Sequence, residues 1–146
     1  MTYKIEPCQS GDYQTVKDML SATDLPIEDL TPEKFANFLV ARNEDDQMVG
    51  AVGVEKKGDQ GLLRSLVVHP ESRSSGLGKL LTEEIESLSK SIGLKSLYLL
   101  TTTAADFFLS LGYQSTNREA VPGPIAATEE FNSICPASAT CLMKTL

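Results

Sequence analysis

The stretch from Leu62 to Gly93 constrains the fold more than any other part of this chain. Leu62-Leu63-Arg64-Ser65-Leu66-Val67-Val68 is a long, branched and mostly apolar run, the mark of a strand covered on both faces. His69-Pro70 ends it. From Gly76 to Ile92 the period lengthens, and Leu77, Leu80, Leu81, Ile85, Leu88 and Ile92 form one helical stripe. Gly93 stands where a left-handed residue closes a helix. A buried strand that feeds an amphipathic helix demands layers, with the helix packed back on a sheet.

The flanking segments extend this plan. Tyr3 to Pro7 alternates and reads as a first strand. Ser10 or Asp12 caps a helix through about Ala22, with Val16, Met19 and Leu20 at helical spacing. Leu25 to Glu33, polar and with two prolines, reads as a mobile loop. Phe35 to Arg42 is ambiguous: Asn37–Ala41 can end a helix or form a strand, and the turn that follows favours the strand. Glu44-Asp45-Asp46-Gln47 then turns into Met48–Val54, and Lys56 to Gly61 turns into the central strand. Ser96–Leu100 is a further buried strand, Ala104–Leu111 a short helix ended by Gly112, and Tyr113 opens another strand. Pro124 suits the first position of a helix through Glu130 and Phe131, which Pro136 stops. Ala139–Met143 is expected to close the sheet as an edge strand. The fold class is α+β (a three-layer α/β plan): one mixed sheet flanked by helices. At 146 residues, a single domain over 1–146 is expected.

Charge and cysteines narrow the function. A formal net charge of −7 argues against nucleic acid as the main partner, because phosphate neutralisation needs a basic face. No apolar run approaches the ~20 residues that span a bilayer, so no membrane partner is expected. Met1 to Glu6 lacks the apolar core of a signal peptide, and a cytoplasmic setting follows. Cys8, Cys135 and Cys141 then read as reduced thiols, small buried residues rather than a metal or metalloid site.

The segment from Arg73 to Lys79 has the chemistry of an anion site. The first N–H groups of a helix lack an internal partner, and the helix dipole is positive there. Gly76 and Gly78 keep Cβ atoms out of the way, and Arg73 and Lys79 add charge. Neither the Gly-Lys-Ser/Thr ending of a P-loop nor the G-x-G-x-x-G spacing of a dinucleotide site is present. An ordinary strand-to-helix turn is the alternative reading of the spacing.

Arg73-x-x-Gly76-x-Gly78 after Val68-x-Pro70 resembles the pyrophosphate loop of the GNAT N-acetyltransferase superfamily, Q/R-x-x-G-x-G/A. Ala104-Ala105-Asp106-Phe107-Phe108-Leu109-Ser110-Leu111-Gly112-Tyr113 is similar to its later A-x-x-F-Y-x-x-x-G-F/Y element. The resemblance covers about Tyr3 to Arg118. Leu63–Val68, Tyr98–Ala104 and the tail Glu130–Ala139 are similar, more narrowly, to arsenic-resistance GNAT proteins of the ArsN type. The superfamily implies acetyl-CoA as co-substrate and a small amine as acceptor. It implies cofactor contacts from Leu66, Val67, Val68, Arg73, Ser74, Ser75, Gly76, Leu77, Gly78, Lys79 and Phe108. The narrower likeness implies a role beside arsenic detoxification, or an amino-acid-like acceptor. No metal is implied, and a homodimer is compatible with this reading.

Direct attack by the amine sets three requirements. A donor must polarise the thioester carbonyl; by resemblance it is a backbone N–H near Val67 or Val68. A base must take the amine proton. Glu55, at the end of the strand before the central one, is the candidate, a solvated hairpin carboxylate being the alternative. His69, the only histidine, is a second candidate for the base, but before a proline at the strand end it reads more readily as a surface turn residue. The CoA thiolate, with a pKa of about 8.5, hardly needs an acid. Phe108 stands where the superfamily often has tyrosine and cannot serve as one, leaving a water, Tyr98 or Tyr113. Thr101 stands where asparagine is common.

Arg64 sits among apolar neighbours, and strict alternation puts it on the face of Leu62, Leu66 and Val68. Buried, it needs an anion: a substrate carboxylate, gripped bidentately, or a glutamate such as Glu55 or Glu130. Arg118 is a weaker candidate for the same task. Two other classes of function compete: a CoA-binding module without turnover, and a thiol protein that senses metalloids.

Overall fold

The computed structural model describes residues 2–23, 25, 27–128, 131 and 139–146. The expected stop at Pro136, the thiol of Cys135 and the carboxylate of Glu130 lie outside them. The strands are β1 (Lys4–Pro7), β2 (Phe38–Arg42), β3 (Met48–Lys57), β4 (Gln60–Val68), β5 (Ser96–Thr101), β6 (Gln114–Ser115) and β7 (Thr140–Thr145). The helices are α1 (Tyr13–Ala22), α2 (Pro32–Phe35), α3 (Leu77–Ser91), α4 (Ala105–Ser110) and α5 (Gly123–Ala126). The strands form one mixed sheet in the order β1-β2-β3-β4-β5-β7-β6. The chain divides into two compact units, Met1–Val54 with Ser65–Leu88, and Glu55–Arg64 with Ser89–Leu146.

In the first unit, β1, β2 and β3 pair antiparallel, with Lys4 opposite Arg42 and Phe38 opposite Gly53. A Cβ on Gly53 would strike the ring of Phe38, so the strand needs glycine there. Val16 and Leu20, one turn apart on α1, pack with Leu30, Phe35, Phe38, Val40, Ala51 and Val67. Tyr13 stacks on Phe35 with ring centroids 4.4 Å apart. The segment expected to be a loop, Leu25 to Glu33, ends in the first residues of α2, because Thr31 accepts from the Lys34 N–H and Pro32 fits the first turn.

On α3, Leu77, Leu81 and Ile85 are buried, while Leu80 and Leu88, and Ile92 in the turn just past the helix, are half-buried at the edge of the stripe. A Cβ on Gly50 would lie 2.9 Å from Leu81 Cδ1, so this glycine lets the helix approach β3 closely. Gly93, with φ of +89°, ends the helix as expected, and the Leu94 N–H bonds back to the Ser89 carbonyl at 2.9 Å.

In the second unit, β4 and β5 are parallel, and their ladder joins Gln60–Leu62 to Ser96–Tyr98. β5 then pairs antiparallel with β7 along its whole length. β7 is therefore not the edge strand that was expected. The edge belongs to β6, which is only two residues long and exposed. A short polar strand tolerates an open edge, whereas the buried Cys141 and Leu142 of β7 require neighbours on both sides. The helix at Pro124 is a single turn ending at Ala126, shorter than expected. Its Ile125 packs with Leu62, Val121, Phe131 and Cys141.

The hairpin between β3 and β4 is tighter than the expected turn from Lys56 to Gly61. Gly58 supplies a φ of +65°, and both strands extend toward it. Within β4, Ser65 has a φ of +61°. A left-handed residue inside a strand interrupts the period of two. Arg64 therefore does not share a face with Leu66 and Val68 by simple alternation. Arg64 and Val67 are buried, and Leu66 and Val68 are half-buried.

Candidate functional site

The turn between β4 and α3 is held at several points. His69 Nδ1 accepts from the Glu71 N–H at 3.2 Å, which caps the turn Pro70–Ser72, and His69 itself is the exposed turn residue expected. The peptide joining Val68 to His69 is pinned at both ends. Its N–H donates to the Val49 carbonyl at 2.7 Å, and Arg73 Nε donates to its oxygen, that of Val68, at 3.1 Å. Ser74 and Gly76 follow with φ of +66° and +85°. Ser75 Oγ donates to the Ser72 carbonyl at 2.5 Å and accepts from the Tyr3 hydroxyl at 3.0 Å.

The first turn of α3 leaves donors available. Among the described residues, no acceptor bonds the N–H groups of Leu77, Gly78 or Lys79. A Cβ built on Gly76 meets nothing within 4 Å, so the space beside this residue, directly before the helix, is open. Arg73, Ser74, Ser75 and Lys79 are exposed around it. Three amides at a positive helix end, flanked by two cations, suit a diphosphate. The Ser75 proton is already engaged by Ser72, so the serine has no hydroxyl proton to offer an anion in this arrangement. Val67 lies in the core with Val16.

The remaining candidates gather in the second unit. Arg64 Nη1 lies 2.7 Å from Glu55 Oε2, with side chains 0% and 5% exposed. The salt bridge to Glu55, one of the two readings of Arg64, is thus present. Glu55 is buried, not the solvated hairpin carboxylate that was the alternative to its role as base, because β3 runs past it to Lys57. Lys57 Nζ approaches Glu55 Oε1 at 4.0 Å. Thr101 Oγ1 accepts the Ala104 N–H at 2.9 Å and shapes the turn into α4. Arg118 donates to the Phe131 carbonyl at 2.9 Å and lies 5.8 Å over that ring. Phe108 is buried edge-on against Tyr113, with centroids 5.4 Å apart, and Lys144 Nζ lies 5.4 Å over the Tyr113 ring.

The described thiols are poorly placed for reaction. Burial, with Asp12 nearby, pushes the Cys8 thiol up to about 11, and burial also raises that of Cys141. Among the described residues, no group of three or more His, Cys, Asp or Glu side chains is arranged to hold a metal. No described helix is long and apolar enough to cross a membrane.

Two features escaped the sequence reading. The tie from Tyr3 to Ser75 joins residues 72 positions apart, and no local pattern announces it. The left-handed Ser65 carries no signal either, because glycine is the residue that flags such a turn.

Known proteins agree with this geometry. The model of the acetyltransferase (GNAT) domain matches residues 34–115. An amino-acid acetyltransferase of Pseudomonas paraeruginosa is 38% identical over 73 residues, which are 50% of this chain and 17% of that protein. The chain thus spans about a sixth of the length of that curated relative. The N-acetylglutamate synthase of Neisseria gonorrhoeae, solved with coenzyme A and N-acetyl-glutamate, superposes with a TM-score of 0.84 at 19% identity, over 100% of this chain and 35% of that one. Rv2747 from Mycobacterium tuberculosis, solved with CoA and NLQ, gives a TM-score of 0.84 at 16% identity, over 98% and 99% of the two chains.

Proposed function

Because this chain belongs to the GNAT acetyltransferase family, we propose that it moves an acetyl group from acetyl-CoA to the amine of a small, amino-acid-like molecule, with residues 1–146 acting as one catalytic domain. The observation that carries the reading is the open first turn of α3, where the amides of Leu77, Gly78 and Lys79 lack protein acceptors among the described residues. The coenzyme, when bound, supplies the acetyl thioester. Its diphosphate is assigned to these amides, to the Ser74 and Gly76 backbone, and to the guanidinium and ammonium of Arg73 and Lys79.

The thioester carbonyl is assigned to the backbone of Leu66–Val68. A backbone N–H near Val68 stabilises the charge that develops on the oxygen as the amine attacks. The ties on the Val68–His69 peptide fix the end of β4 and support this assignment, since a donor on a rigid strand needs no reorganisation during the reaction. Glu55 is assigned as the proton acceptor, directly or through a water. Arg64 reaches a substrate carboxylate only if Glu55 moves aside, because its side chain is fully buried against that residue. The role the geometry supports best for Arg64 is to position Glu55. Thr101 and Arg118 are assigned to the acceptor side, and Phe108 to packing beside the cofactor. The thiolate leaves without a protein acid, because its pKa near ~8.5 makes it a good leaving group.

The amino-acid-like acceptor is supported by the name of the Pseudomonas relative, half of this chain matching it. The segments Leu63–Val68 and Tyr98–Ala104, similar to arsenic-resistance GNAT proteins, extend the proposal to arsenic- and phosphorus-bearing amino-acid analogues. Calorimetry with CoA and acetyl-CoA, followed by a thiol-release screen over amino acids and these analogues, tests it. Saturable heat and acceptor-dependent thiol release are expected. No heat with either coenzyme on folded protein overturns the assignment.

A further inference from the structure

The tie between the start of the chain and the β4–α3 turn is absorbed by none of these roles. Tyr3 directly precedes β1, whose register is fixed by the pairing of Lys4 with Arg42. Arg42 in turn holds Glu6 at 2.8 Å and Asp12 at 2.6 Å, so β1 is anchored to β2 and to the entry of α1. From this base the Tyr3 hydroxyl donates to Ser75 Oγ, and Ser75 Oγ donates to the Ser72 carbonyl. The two bonds form a relay in which each hydroxyl polarises the next, so each bond strengthens its neighbour. Ser75 is the centre of the relay. It stands between the two left-handed residues Ser74 and Gly76, where the backbone has the fewest constraints of its own.

We propose that Tyr3 is a positioning residue of the coenzyme site: through Ser75 it holds the Ser74-Ser75-Gly76 backbone in the shape that presents the α3 amides to a diphosphate. The inference rests on the reading of that turn as the coenzyme site. A Tyr3 that only stabilised β1 would affect every property of the protein alike. A Tyr3 that shapes the turn affects only ligands that carry the diphosphate. The ring of phenylalanine keeps the packing and removes the single hydroxyl, so Tyr3→Phe separates the two roles.

The test compares Tyr3→Phe, Ser75→Ala and the double variant with the wild type. In the free protein, hydrogen exchange at the Ser75 and Gly76 amides is expected to accelerate in both single variants while the melting temperature stays close to wild type. By calorimetry, CoA affinity is expected to fall about three- to ten-fold in each, the range of one neutral hydrogen bond. The double variant should fall no further than Ser75→Ala, because the two residues act in series. Turnover of acetyl-pantetheine, which lacks the diphosphate, should be unchanged by Tyr3→Phe. Wild-type CoA affinity in Tyr3→Phe, or an equal loss for acetyl-CoA and acetyl-pantetheine, overturns the positioning role and leaves the site assignment standing. Absence of CoA heat in the wild type overturns both.

Discussion

Replacing Arg64 with methionine is expected to destabilise the protein by about 3–5 kcal/mol, the usual result of removing one partner from a buried ion pair. The size follows from the surroundings. The two side chains are 0% and 5% exposed and 2.7 Å apart, so bulk solvent compensates little for the loss of the guanidinium beside Glu55. Lys57 stays within 4.0 Å, but its side chain is 39% exposed, and such a contact contributes only about 0–1 kcal/mol. Urea unfolding followed by far-UV circular dichroism reads the change. With a slope of about 2 kcal/mol/M, a loss of about 4 kcal/mol lowers the midpoint by about 2 M. Replacing both residues, Glu55→Met with Arg64→Met, removes the charges together and should recover most of the loss, because two apolar side chains carry no desolvation penalty. A single variant within about 1 kcal/mol of wild type, or additive losses in the double variant, would refute the claim that the pair is buried and coupled.

Gly76→Ala isolates backbone conformation, since its Cβ points into open space. The positive φ alone should cost about 1–2 kcal/mol in unfolding stability, and distortion of the turn should weaken CoA binding in calorimetry. Acid titration of stability tests the Arg42 cluster. Burial raises the Asp12 carboxyl, but the Gln9 N–H and Arg42 outweigh it and hold the group low; Arg42 and Lys4 hold Glu6 low as well. Both carboxylates thus stabilise the folded state above the usual range near ~4, and that contribution fades as pH falls through their lowered values. Arg42→Ala should flatten the fall in the urea midpoint below about pH 4.

The legibility of the chain tracks the range of the interactions. Helix α3 and the strand before it were readable because periodicity and a closing glycine are local signals, and Gly93 ends the helix where expected. The Arg73–Gly78 turn was readable for the same reason. The place of β7 was not, because sheet order depends on which strand can tolerate an edge, and that is decided by the brevity of β6. Glu55 reads as a hairpin residue when β3 is taken to stop at Val54, and it becomes an interior one when the turn tightens to Gly58. Arg64 announced its need for an anion by its apolar neighbours, but the choice between protein and substrate carboxylates needed three dimensions. The tie between Tyr3 and Ser75 is a contact between distant segments, and nothing adjacent in the chain encodes it.

The missing methyl at Gly50 sets how low α3 rides on the sheet, since any side chain there meets Leu81 first. The same helix carries the amides assigned to the coenzyme at its opposite end from Gly93. An interior methyl group added to β3 would therefore lift the floor under an exterior binding surface. Loss of coenzyme affinity in a variant of this protein is consequently no proof that the altered residue ever touches the coenzyme.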